Sequence, residues 1–186
     1  MKLIKKICAA FVVMSTLLAS TSVSAYAALP VEKLSVSKNT NHIILIVGHK
    51  NNKNKVTVND YTKSSDGKWT KNWYVNGIAG TNGISTQKSE GDKKTPEGVF
   101  NAMFAFGLKD NPGSLLEYRK IGDGDYWVDD SNSAYYNTWV NTSKVKKDWA
   151  SAEDLKAAYP FYNYALALNY NTEAVPGKGS AIFIHC

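Results

Sequence analysis

His185 closes an apolar run, Ala181-Ile182-Phe183-Ile184-His185-Cys186, and an imidazole there is a titratable group set against an expected core. Two readings stand for it: a general base that takes a proton from a nucleophile, and a structural histidine satisfied by backbone partners. The adjacent Cys186 invites a thiolate–imidazole pair. Strand geometry opposes that pair, because side chains alternate along an extended chain. Ala181, Phe183 and His185 then share one face, and Ile182, Ile184 and Cys186 the other. On this reading Cys186 is a small buried apolar residue and not a nucleophile.

His42 and His49 flank another apolar run at an odd interval, so their side chains point to opposite faces of a straight strand. With no Cys-x-x-Cys, no His-Glu-x-x-His and no third imidazole nearby, neither a metal site nor a cofactor is expected. Two Ser-x-x-Lys patterns occur, at residues 35–38 and 85–88. A serine acyl-transferase needs that serine at the start of a rigid helix, whereas these fall in a linker and in a Gly/Asn-rich loop.

The elements that must position these groups are mostly strands. His42-Ile43-Ile44-Leu45-Ile46-Val47 suits a strand buried on both faces, and the Lys/Asn cluster after it turns the chain into a second strand over residues 56–61. Ser64-Ser65-Asp66-Gly67 is a turn, followed by an aromatic and β-branched strand over residues 69–79. Residues 76–92 read as an irregular loop. Thr95-Pro96-Glu97-Gly98 reads as a turn feeding a strand over 99–104. Further strands are expected at 126–128, 164–168 and 181–186. One helix is expected, capped by Ser151, carrying Glu153 and Asp154 in its first turn and stopping at Tyr159 before Pro160. The fold class is therefore mostly β with one short helix.

The chain has 186 residues, 22 basic and 16 acidic, and is 44% hydrophobic, which is room for one ordinary globular domain and excludes a disordered or collagen-like chain. Lys2, Lys5 and Lys6, the apolar stretch 7–18 and Ala25-Tyr26-Ala27 carry the pattern of an export leader over residues 1–27, with Val23-Ser24-Ala25 as the near alternative cleavage site. The organisation expected is a leader over 1–27, a linker over 28–41 and a domain over 42–186, secreted and without a membrane span after cleavage. Removing the leader's three lysines leaves a net charge of +3, too small for nucleic-acid binding, and Arg119 is the sole guanidinium. The lysine cluster at 50–55 reads as a solvated turn, with at most a weak attraction to anionic wall polymers. Cys8 leaves with the leader, so no internal disulfide is expected. The last run stops without a polar tail, so the sequence is expected to continue past Cys186.

Three segments in order carry a resemblance: Lys88-Ser89-Glu90-Gly91-Asp92-Lys93-Lys94-Thr95-Pro96-Glu97-Gly98-Val99-Phe100, Trp127-Val128-Asp129-Asp130-Ser131-Asn132-Ser133, and Gly179-Ser180-Ala181-Ile182-Phe183-Ile184-His185. Together they resemble the L,D-transpeptidase (YkuD-type) catalytic domain, from about His42 to the C-terminus. The resemblance implies a mixed, sandwich-like β fold and an exported enzyme of peptidoglycan. Such enzymes form a thioester between a cysteine and a tetrapeptide stem, expel D-alanine, and pass the acyl group to an amine on a neighbouring stem.

His185 matches the family's histidine base. The family's nucleophile lies in a later Gly-Cys motif, which has no match here, and Cys186 does not correspond to it. The resemblance thus implies an enzyme incomplete at its C-terminus and inactive as the 186-residue chain. Trp127, Asp129 and Asp130 are the expected border of the substrate groove, since acidic groups suit an amine-bearing stem peptide; the alternative for them is a turn with a packed Trp. Two other functions stay open: a non-catalytic cell-wall-binding β module, and an L,D-carboxypeptidase-type hydrolase in which water replaces the acceptor amine.

Overall fold

A computed structural model describes residues 9–14 as backbone and residues 31–186 in full. The chain is mostly β, and the described residues divide into two compact units. The first comprises residues 9–14, 31–87 and 93–101, and the second residues 88–92 and 102–186.

The first unit is built from β1 (Ala9–Met14), two 3-10 turns (Val31–Lys33 and Ser35–Lys38), β2 (His42–His49), β3 (Asn52–Lys63) and β4 (Trp69–Ile78). It also holds β5 (Ile84–Ser85), β6 (Thr95–Pro96) and the first residues of β7 (Gly98–Gly107). β2, β3 and β4 form the two successive hairpins that the turn residues predict. The register places Ile43 opposite Tyr61 and Leu45 opposite Asn59, so one face carries Ile43, Leu45, Tyr61 and Trp69, which cluster with Val31. Ile43 is 0% exposed, and full burial of such a side chain stabilises by about 1.5–3 kcal/mol.

The expectations for Val31 and for Thr95-Pro96 change in this unit. Residues 9–14 of the expected leader form β1, parallel to β2 and antiparallel to the start of β7, since a short apolar run with Val and Phe meets the requirements of a strand as well as those of a leader. The remainder of the leader, with Cys8, lies outside the described residues. Val31, placed in the expected linker, is buried in the core because the 3-10 turns fold Val31, Leu34 and Val36 onto the sheet. Thr95-Pro96 is not a turn but β6, parallel to β5. Proline donates no backbone hydrogen bond, and here the amides on either side do so: Thr95 N–H to Gly83 O and Glu97 N–H to Ser85 O.

In the second unit, β12 (Ala165–Leu168) pairs with β13 (Phe183–His185) and with the later residues of β7, which also pair in parallel with β8 (Tyr118–Lys120). A second sheet has the order β10 (Trp139–Asn141), β9 (Asp125–Val128), β11 (Ala152–Asp154). The core is aromatic. Phe106, 0% exposed, meets Trp139, Tyr162 and Phe183 edge to face at ring-centroid distances of 5.4, 5.9 and 5.0 Å.

The expected helix after Ser151 is absent; the described residues hold no α-helix. Ala152, Glu153 and Asp154 pair with Val128, Trp127 and Tyr126 as β11. Ser151 donates its hydroxyl to Asp129 instead of capping a turn, and Asp154 Oδ1 accepts from the amides of Lys156 and Ala157, so only one turn forms before Pro160. Side chain–backbone bonds and a sheet partner outcompete the helix that the local sequence favours. No helix among the described residues is long and apolar enough to cross a membrane.

Candidate active site

The site is built in the second unit, and its approach to β13 is held by asparagine and tyrosine side chains. Asn137, at a left-handed φ of 54°, accepts through Oδ1 from the Trp127 indole (2.9 Å) and the Ala181 amide (3.2 Å). Its Nδ2 donates to the carbonyls of Tyr170 (3.1 Å) and Asn171 (2.8 Å). Asn171 in turn donates to Val175 O and Gly179 O. Tyr136 donates to Glu90 Oε2 at 2.6 Å and accepts from the Gly179 amide at 3.0 Å. Burial pushes the Tyr136 phenol up to about 12, and its bond to Glu90 adds to the effect. Lys88, 7% exposed at its side chain, is paired with Asp92 at 2.8 Å.

Ala181 has φ of 52°, so the extended run starts later than expected, at Phe183. From there alternation holds. Phe183 packs into the core, with its ring 4.8 Å from Trp127, and His185 follows on the same side, its ring 5.2 Å from Tyr162 and perpendicular to it. The Nδ1–H of His185 donates to Phe161 O at 2.9 Å, because a carbonyl only accepts. This assigns the tautomer: in the neutral ring Nε2 keeps its lone pair and is free to take a proton. His185 itself is exposed.

Cys186 follows the end of β13, its Sγ 3.9 Å from Tyr164 O. It is exposed and not buried as expected.

No family model, curated protein or solved structure matches the chain.

Of the other expected site residues, Trp127 is 4% exposed and stacks in the core against Phe104. Asp129 accepts the Ser151 hydroxyl at 2.5 Å. Asp130 accepts from the amides of Ala150 and Asn132, and these bonds hold its carboxyl below the usual carboxylate range. An open recess of about 380 Å³ is lined by Tyr170, Asn171, Thr172, Glu173 and Lys178, and His185 is not part of it.

Sequence reasoning missed Glu153 and Tyr162. The Tyr162 hydroxyl lies 3.5 Å from Glu153 Oε2. Glu153 is exposed; partial loss of water raises its carboxyl and Asp129 raises it further, while the Tyr162 hydrogen bond and then His185 act in the opposite direction. Tyr162 is raised chiefly by burial and then by the Glu153 charge. Reading residues 152–154 as a strand would have put Glu153 on a sheet, but its register opposite Trp127 is not written in the sequence. What the geometry can do is accept a proton at an exposed imidazole whose other nitrogen is fixed, beside a carboxyl held near an aromatic wall.

Proposed function

We propose that this chain belongs to an L,D-transpeptidase acting on peptidoglycan stem peptides, an exported enzyme of the cell wall in which His185 is the base. The observation that supports this most directly is the His185–Phe161 hydrogen bond, which leaves Nε2 to deprotonate a thiol and, later, the incoming amine. The three ordered segments that resemble the family include this strand. Cys186 is not the nucleophile in this reading, because alternation along an extended chain sets it on the face opposite His185.

Incubation with a tetrapeptide stem, followed by mass spectrometry of thioester, cross-linked and trimmed products, tests the reading. Transfer to an amine supports the transpeptidase and trimming alone supports the carboxypeptidase; in either case His185→Ala should cut acylation at neutral pH by about 100-fold or more. Unchanged acylation would overturn the assignment. Product formation through Cys186 would sink the strand-face argument. A wall-binding module without chemistry is favoured by one feature, the exposed Trp73, Tyr74, Val75 and Ile78 of strand β4; binding of glycan lost in Trp73→Ala but kept in His185→Ala would select it.

A further inference from the structure

We infer that Glu153 is a positioning residue for His185, holding the imidazole through Tyr162 and supplying the countercharge when the ring becomes a cation. The inference rests on the reading of His185 as the base.

Two consecutive residues grip the imidazole. The Phe161 carbonyl takes the Nδ1–H at 2.9 Å, and the Tyr162 ring stands perpendicular to the imidazole at 5.2 Å. Tyr162 is buried, with its ring also 5.9 Å from Phe106 and 5.8 Å from Phe183, so its body is fixed by the core. Its hydroxyl end reaches Glu153 Oε2, and Glu153 is set by pairing opposite Trp127. Trp127 packs on Phe183, two residues before His185. The carboxyl and the imidazole are therefore tied to one another by two routes through the same core.

The charge argument points the same way. Glu153 is exposed, yet partial loss of water and Asp129 disfavour its carboxylate, while the Tyr162 hydrogen bond and then His185 favour it. The groups facing Glu153 are Tyr162, Asp129 and His185. When a nucleophile gives its proton to Nε2, the ring gains a positive charge and the Nδ1–H bond to a neutral carbonyl does not cancel it. Glu153 does so without accepting the proton itself, which stays on Nε2 until the leaving group or solvent takes it.

Proton titration of the three histidines by NMR, in the folded chain without peptide, tests this. Glu153→Gln keeps the size and the acceptor oxygen but removes the charge, and should lower the proton affinity of His185 about threefold while His42 and His49 do not move. Tyr162→Phe should give a smaller loss in the same direction, and His185→Gln should move the Glu153 carboxyl to a higher titration point. An unchanged His185 in Glu153→Gln, or equal shifts at all three histidines, overturns the inference. Failure of the transpeptidase reading would instead appear in the product assay, with the coupling intact.

Discussion

The two units solve the same problem with different materials. The first has long hairpins, a core of Ile43, Leu45, Tyr61, Trp69 and Val31, and ten lysines against four carboxylates among residues 31–87 and 93–101. The second has strands of a few residues, an aromatic core, and nine basic against twelve acidic residues. Its carboxylates are engaged: Asp92, Asp110, Glu117 and Asp123 in ion pairs, Asp130 and Asp154 in turns. Long strands satisfy most of their own backbone, and side-chain bonds of the first unit such as His42–Asp60–Asn72 join neighbouring strands. Short strands leave loops whose amides must be met by Asn, Asp and Tyr, and that polar scaffold fixes His185. The net charge of +6 over the whole sequence conceals this division.

Core deletions test the contrast most strongly. Phe106→Ala should cost about 3–5 kcal/mol and Ile43→Ala about 2–5 kcal/mol in urea unfolding. Hydrogen exchange should rise across residues 102–186 in the first case and across 31–87 in the second; equal loss of protection everywhere in both would break the distinction. Removing the scaffold is expected to cost less. Asn137→Gly tolerates the left-handed backbone yet removes four hydrogen bonds, for a loss of about 2–3 kcal/mol, with faster exchange at the Ala181 amide. Unchanged stability would mean that the loops are held by packing.

The smallest effect is alkaline. Because Tyr136 titrates higher folded than unfolded, its contribution is whole below about pH 10 and is lost as pH rises through about 12. Tyr136→Phe should cost about 1–2 kcal/mol at neutral pH and flatten that alkaline decline, followed by melting temperature against pH.

The sequence by itself determined the elements whose signals are local. Apolar runs, aromatic and β-branched residues placed β2, β3, β4, β9 and β12, and the Ser64-Ser65-Asp66-Gly67 turn made its hairpin. The tertiary structure decided whatever depends on a distant partner. Ser151 to Asp154 carry helix-start residues, but Val128, Trp127 and Tyr126 recruited residues 152–154 into a sheet, because a ladder plus burial outweighs a short helix's weak propensity. Asn137 and Ala181, far apart in the chain, both take left-handed backbones and are joined by the bond from the Ala181 amide to Asn137 Oδ1. Glu153 acquires its place beside Tyr162 and His185 by register, a relation between residues far apart in the chain that no local pattern encodes.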